Sequence, residues 1–316
     1  MKKISIIVPV YYNEDNLLPL YADLKEKVLD PIQHRYRYEI VMVDDGSKDR
    51  SFEVMNNLAS IDEHIKIYKL SRNFGEHSAL LAGLNVCTGD LAVRKAADLQ
   101  EPSEMILDML KEYEEGNSVI LAVREGREES EGQKFFSNLY AYLMRKFALS
   151  NMPKGGFDSF MIDRQVIDTL IQMNEKNTSL MAQVLWCGFP TSKIGYVRKK
   201  REIGTSKWTL SKKIKLVLDS LLGFSYFPIR CILMIGTASF VISFIWSIVL
   251  IVQRLMNIIT VEGYTTIIIL ILFAFSIIMG SLGILGEYIW RMFDATRNRP
   301  PFIFDHRTKE EMTKSK

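Results

Sequence analysis

The chain has 316 residues, with 40 basic and 37 acidic side chains and a formal net charge of only +3. So small an excess counts against a nucleic-acid partner, which needs a concentrated basic surface. The three cysteines, Cys87, Cys187 and Cys231, have neither paired nor metal-type spacing, so no disulfide framework or zinc motif can be drawn and reduced thiols are expected. A mean hydropathy near zero conceals a split: residues 1–210 have a soluble composition, and the apolar excess lies in 229–290.

Ile4–Val8 follows Met1-Lys2-Lys3 but meets Pro9 too soon for a signal peptide. Its β-branched run predicts a first strand buried on both faces. Asn13 to Asp15 offers capping side chains for a helix running to about Val28. Tyr38–Val43 predicts a second strand, ending in Asp44-Asp45-Gly46-Ser47, and Asp49 opens the next helix. Ile65–Lys69, Leu91–Arg94 and Val119–Val123 continue the strand series. Between them lie helical stretches over Glu76–Val86 and from Pro102 to about Glu114. This alternation predicts an α/β fold with a doubly wound, mainly parallel sheet. Ligands of such sheets bind outside the carboxyl ends of the strands. Tyr11–Glu14, Asp44-Asp45, Arg72-Asn73 and Asp98–Gln100 each follow a strand, so four segments converge on one edge.

Past residue 125 the pattern is less regular. Gly126–Gly132 reads as a charged loop, Gln133–Ala148 has helical apolar spacing, Asn151–Gly156 is a Pro/Gly connection and Thr191–Val197 a strand. Ser211–Leu222 alternates lysine with Leu, Ile and Val at helical spacing, as a helix lying in a membrane interface does. Cys231–Val252 and Tyr264–Ile289 each exceed the ~20 residues that cross a bilayer as a helix. The short Gln253–Gly263 between them makes the pair a hairpin. Lys212, Lys213, Lys215, Arg230, Arg291, Arg297 and Arg299 flank its base and Arg254 alone stands at its tip, which places both ends in the cytoplasm. The expected plan is a cytoplasmic domain over 1–210, a juxtamembrane amphipathic helix over 211–228, two transmembrane helices over 229–290 and a cytoplasmic tail over 291–316, disordered from Asp305. Such a plan is expected of an integral protein of the cell (inner) membrane. Small residues recur in both runs (Gly236 and Ser239; Gly280, Gly283 and Gly286), compatible with close helix packing and a homo-oligomer, and equally with ordinary tolerance of small residues in lipid.

Carboxylates at strand ends can accept hydrogen bonds from a base imide and from ribose hydroxyls, and an aromatic ring can cover the base. Tyr11, Glu14, Asp44 and Asp45 are candidate nucleotide-binding residues on that ground, and Pro9, Arg72 and Asp98 join them by their place in the segments that meet on the same edge. The plain alternative is a helix cap and a turn, since Asp-Gly-Ser is good turn chemistry by itself. Asp98, with Gln100, could hold Mg2+ or Mn2+ against a diphosphate; alternatively Asp98 caps the helix near Pro102.

Together Pro9–Glu14, Asp44–Ser47, Arg72–Gly75, Ala97–Pro102, Arg201 with Ser206-Lys207, Gly286–Tyr288 and Arg299-Pro300 resemble glycosyltransferase family 2. The likeness is to its polyprenyl-phosphate branch, the dolichol-phosphate mannose synthase-like and bactoprenol-phosphate glucosyltransferase-like enzymes, and it spans nearly the whole chain. It implies a GT-A-like fold, a nucleotide-sugar donor, a divalent metal, inversion at the anomeric carbon and a polyprenyl phosphate acceptor. It also implies a catalytic role for Asp98, and for Asp158 after Gly155-Gly156-Phe157, which could instead cap a turn. Arg124, Arg127, Lys134, Arg201, Ser206 and Lys207 are candidates for the donor and acceptor phosphates, although each alone could be a solvated surface residue. The branch commonly reads Asp-Ala-Asp-Leu-Gln; here Ala96 stands at the first acidic position, so one metal-side carboxylate is missing. Gln183-Val184-Leu185-Trp186 lacks the arginine and spacing of the processive synthases, and no Gly-x-Gly-x-x-Gly or Walker loop occurs. The expected function is transfer of a hexose, glucose from UDP-glucose, to undecaprenyl phosphate at the cytoplasmic face. The alternatives are a hydroxyl-bearing lipid or lipid-linked glycan as acceptor, and a catalytically inactive membrane scaffold.

Overall fold

The computed structural model describes residues 1–127, 141–154, 156–173, 175, 179–199, 217, 224–225, 227–256, 263–297 and 299–305. Among them seven strands, β1 (Lys3–Val10), β2 (Arg37–Asp44), β3 (Ile65–Lys69), β4 (Leu91–Arg94), β5 (Val119–Arg127), β6 (Ser159–Asp163) and β7 (Thr191–Arg198), form one sheet in the order β3-β2-β1-β4-β6-β5-β7. The predicted α/β architecture is present. β1 pairs in parallel with β2 and β4, β2 with β3, and β5 with β7. Only β6 runs against its neighbours, β4 and β5.

β1 is buried as its β-branched run requires, with Ile4, Ile6, Val8 and Val10 wholly covered. Each such side chain contributes about 1.5–3 kcal/mol by leaving water. The helix Glu76–Val86 lies against β1 closely enough that a Cβ on Gly83 would stand 2.4 Å from Ile7 Cγ2. Further helices here are Leu17–Leu24, continued by helical turns over Lys25–Leu29 and Asp30–Ile32, then Ser51–Ile61, Met105–Glu114, Arg164–Met173 and Leu180–Trp186.

The structure departs from the sequence reading at several places. Asn13 does not cap the first helix; its Oδ1 accepts the Tyr11 N–H at 2.9 Å, and Asn16 stands at the cap without a side-chain bond. β5 reaches into the first two residues of the expected loop, to Arg127, with an irregular register between Arg124 and Gly126, and the rest of that loop lies outside the described residues. β6 has no counterpart in the sequence reading. The tail is ordered at least to Asp305, whose N–H bonds to Lys69 O at 2.8 Å; residues beyond it lie outside the described set.

The chain divides into two compact units, Met1–Ser220 with Pro300–Lys316, and Leu221–Arg299. In the second, helices Phe227–Leu255 and Tyr264–Thr296 touch each other. Leu233, Ile242, Ile271 and Phe273 are exposed on them. Among the described residues one stretch, Phe273–Thr296, is long and apolar enough to cross a membrane; Ile229–Ser239 is apolar but shorter. The two-span hairpin is therefore not reproduced in full. The interfacial helix expected over 211–228 falls largely outside the described residues.

Candidate active site

β1 and β4 mark the point where the strand order reverses, because the chain passes outward from β1 to β2 and β3 on one side and to β4 on the other. Ligands of open α/β sheets settle at such a point. β4 stops at Arg94, opposite Ile7, so Val8–Val10 have no β4 partner, and Pro9, which lacks an N–H, stands where none is called for. Among the described residues only Tyr12 (φ 56°) and Leu99 (φ 59°) are non-glycine residues in the left-handed region, one just past β1 and one just past β4. Strain of this kind collects at functional sites.

On one side of the switch point, loops from β1, β2 and β3 are stitched together. Tyr12 N–H bonds to Ser47 Oγ at 3.0 Å, Asn13 N–H to Ser51 Oγ at 2.9 Å, and Glu14 Oε2 accepts the Arg50 N–H at 2.8 Å. Asp44 is wholly buried and its Oδ1 accepts the Ser47 N–H at 3.1 Å. Asp45 takes two amide protons from the segment after β3, Phe74 N–H at 2.7 Å and Gly75 N–H at 2.9 Å. Burial nevertheless pushes the Asp45 carboxyl up to about 6, with those two amides acting in the opposite sense. Burial also raises Asp44, against the pull of Ser47. Gly46 has φ +70° and its absent Cβ would fall 2.6 Å from the Arg72 carbonyl carbon, so both conformation and space require glycine. The Tyr11 ring meets Tyr12 edge-on at 4.7 Å, and the Arg72 guanidinium covers the Phe74 ring at 4.2 Å.

On the other side stands Asp158. Because β6 runs antiparallel, the residue before it reaches the same edge as residues that follow the parallel strands. Asp158 N–H bonds to Ala122 O at 3.3 Å, and its carboxylate takes both Nε and Nη2 of Arg124 and the hydroxyl of Tyr196. Burial works to raise the Asp158 carboxyl, but Arg124, then Tyr196 and Arg198, outweigh it and hold it below the usual range. Tyr196 moves up, through burial and the Asp158 charge. Arg124 and Tyr196 face each other in register on β5 and β7.

The β4 loop joins the two sides. Arg94 reaches Glu101 at 2.6 Å and Glu76 at 2.7 Å, and Glu76 follows the Gly75 amide that holds Asp45. Glu101 also accepts the Ala96 N–H at 3.2 Å, while the fully buried Lys95 ammonium bonds to the Glu101 carbonyl. Asp98 Oδ1 accepts the Gln100 N–H at 3.2 Å, and its Oδ2 lies 4.0 Å from Arg198. Gln100 Oε1 accepts from Arg198 at 2.7 Å, and its Nε2 donates to Lys199 O at 3.2 Å, so both ends of that amide touch the β7 end.

A divalent cation fits this donor set in one way. With Ala96 where a second acid could stand, Asp98 is the carboxylate offered by the β4 loop. No three His, Cys, Asp or Glu side chains gather into a cage among the described residues. Mg2+ commonly takes only one or two protein carboxylates and completes its shell with phosphate oxygens and water. One hard oxygen donor at a strand end suits an ion shared with a diphosphate.

The predicted residues thus fall into one group on the β1–β3 side (Pro9, Tyr11, Glu14, Asp44, Asp45, Arg72) and a second from the β4 loop to β6 (Asp98, Gln100, Arg124, Asp158), on one sheet edge. Arg127 ends β5; its side chain, with Lys134, Arg201, Ser206 and Lys207, lies outside the described residues. Arg94, Glu76, Glu101, Tyr196 and Arg198 were not foreseen. A charged residue closing the otherwise apolar Leu91–Val93, and the alternation of Tyr196 and Arg198, were the available signals.

Comparison with known proteins points the same way. The model of glycosyl transferase family 2 matches residues 5–171. The uncharacterized glycosyltransferase YkcC of Bacillus subtilis is 36% identical over 309 residues, covering 95% of this chain and 92% of the relative. The SfII prophage-derived bactoprenol glucosyl transferase of Shigella flexneri is 32% identical over 307 residues, covering 95% and 97%. The undecaprenyl-phosphate 4-deoxy-4-formamido-L-arabinose transferase of Photorhabdus laumondii is 33% identical over 307 residues, covering 96% and 93%.

Proposed function

This chain belongs to glycosyl transferase family 2 and is a glycosyltransferase; on that premise we propose that it moves a hexose, glucose from UDP-glucose, to undecaprenyl phosphate. The relatives named for bactoprenol and undecaprenyl phosphate support the acceptor class. The observation that carries the reading is the state of Asp158. A carboxylate bound to Arg124 and Tyr196, with its pKa held low, is a poor base for a lipid hydroxyl. A phosphate monoester needs no such base, because its second ionisation lies near ~6 and its attacking oxygen is already anionic at neutral pH.

In this reading Asp45 and Glu14 receive the base and ribose, the wholly buried Asp44 serves them only by holding the turn at Ser47, Tyr11 lies beside the base, and Arg72 faces the donor phosphates. Asp98, with Gln100 beside it, would hold Mg2+ or Mn2+, which when bound neutralises charge on the departing diphosphate. Asp158 fixes Arg124 and Tyr196 at the far side of the sugar, where a guanidinium can orient the incoming phosphate. Arg127, Lys134, Arg201, Ser206 and Lys207 remain the further phosphate-binding candidates. The phosphate oxygen attacks the anomeric carbon as the bond to the nucleoside diphosphate breaks, with inversion.

The acceptor is a membrane lipid, and the apolar stretch Phe273–Thr296 supports membrane association. We extend this to two spans, over 229–290, with both ends in the cytoplasm, on the basic flanks of the two runs. The test uses membranes carrying the full chain, undecaprenyl phosphate and a set of labelled nucleotide sugars. A lipid-extractable product that depends on UDP-glucose and a divalent ion is expected. The absence of lipid-linked sugar from every common donor would overturn the proposal.

A further inference from the structure

β3 is the last strand on its side of the sheet, and an open edge of this kind invites a partner. The partner is the chain's own end. Leu70 and Phe304 form an antiparallel bridge, Ser71 N–H donates to Ile303 O at 2.9 Å, and Asp305 N–H donates to Lys69 O at 2.8 Å. The Phe304 ring lies against Tyr68, with centroids 5.4 Å apart, and Phe302 packs on Phe304 at 5.2 Å. The local sequence favours this: Pro300-Pro301 cannot continue a helix, and Phe302-Ile303-Phe304 are strand formers.

The pairing sits at the start of a functional loop. One residue past Ser71 begins the run Arg72–Gly75, whose last two amides hold Asp45 and whose first peptide closes over Gly46. That run is fixed from inside by Asp45 and at its beginning by residues 303–305. We infer that Phe302–Asp305 is a positioning strand for the nucleotide site: it holds the Leu70–Gly75 wall in the shape the donor meets, through Asp45 and Arg72. The inference rests on the donor reading of that site given above. None of the four residues touches the reacting atoms. A wall that must order itself on binding subtracts from affinity, not from the chemical step, so the strand's effect belongs in donor affinity.

Two substitutions in the full-length protein, purified in detergent, separate backbone from side chain. Asp305→Pro removes the N–H that Lys69 accepts, whereas Asp305→Ala keeps it. Phe304→Ala removes the ring beside Tyr68, and Phe304→Tyr restores it. Calorimetry with UDP is expected to give about tenfold weaker binding for Asp305→Pro and Phe304→Ala, with donor KM raised in proportion and kcat within about twofold. Phe304→Tyr should match the unaltered protein, and Asp305→Ala, which keeps the N–H, should bind UDP more tightly than Asp305→Pro. Unchanged UDP affinity, or a fall in kcat at constant KM, overturns the positioning role. Should a variant fail to fold, hydrogen exchange on the unaltered chain decides: a slow Ser71 amide supports the pairing and a fast one ends the inference. An unaltered chain that binds no UDP refutes the donor reading itself, a distinguishable result.

Discussion

The two sides of the sheet edge use the same side chain in opposite ways. On the side proposed for the nucleotide, Asp45 is buried among backbone amides, and burial drives its carboxyl up to about 6. On the β6 side Asp158 is half-buried, and Arg124 and Tyr196 bring its carboxyl down against the desolvation that would raise it. Amide dipoles offset part of the desolvation of a carboxylate; a guanidinium at contact distance outweighs it. The first arrangement suits recognition of a neutral, directional hydrogen-bond donor such as a base imide. The second holds cationic and hydroxyl groups beside an anion, as a phosphate acceptor requires. Arg94, paired with Glu76 and Glu101, ties the one environment to the other.

The sharpest way to break this comparison lies between the two sides, at Asp98. With Ala96 beside it, Asp98 is the β4-loop carboxylate available to a cation. Changing even the outer partners of a metal ligand costs about 10- to 100-fold in metal affinity or activity, so Asp98→Asn should cost at least about a hundredfold in turnover. In calorimetry the same variant should lose the enhancement of UDP binding by Mn2+. Retained enhancement would mean that the cation is held elsewhere.

Next in size is Asp158→Asn. As a general base Asp158 would account for about 10²- to 10⁴-fold of the rate. As a partner that positions Arg124 and Tyr196 it should cost less, so we expect a fall in kcat of under about a hundredfold. The pH profile of kcat should keep its shape. A fall of about 10²- to 10⁴-fold, with the acidic limb gone from the profile of the residual activity, would turn the reading toward a hydroxyl acceptor.

The reach of the sequence follows from these same residues. Strands β1 to β4 were legible because each is a short β-branched or apolar run closed by a turn, and the acidic segments after them mark a parallel sheet's ligand edge. The resemblance to the polyprenyl-phosphate branch of family 2 rested on those segments and is borne out by the relatives. β6 was not legible: Ser159–Asp163 is short, and nothing local says that it runs antiparallel between β4 and β5. Without it Asp158 could be named from resemblance but not joined to Arg124 and Tyr196, which are 34 and 38 residues away. Arg94 was hidden for a different reason: its partners Glu76 and Glu101 lie on separate segments, and pairing between them is a tertiary fact. The bridge at Phe304 was not legible for the same reason: Phe302-Ile303-Phe304 are strand formers, but nothing local says that they meet Leu70.

The smallest expected effect tests the nucleotide side alone. A carboxyl raised from 3.8 to about 6 favours the fold below about pH 4 and loses that contribution as pH rises through 6. At neutral pH, then, the ionised Asp45 costs the fold stability. If the carboxylate accepts the base imide, affinity must fall as Asp45 takes up a proton. UDP is a poor probe, because its own phosphate titrates near ~6. Uridine has no group that changes charge between pH 5 and 7, so its affinity should fall below pH 6 by at most about tenfold per unit. Asp45→Asn should bind uridine more weakly and show no slope over that range. A slope that survives the substitution would assign the titration to another group, and a flat profile in the unaltered chain would remove Asp45 from base recognition while leaving the Asp158 side untouched.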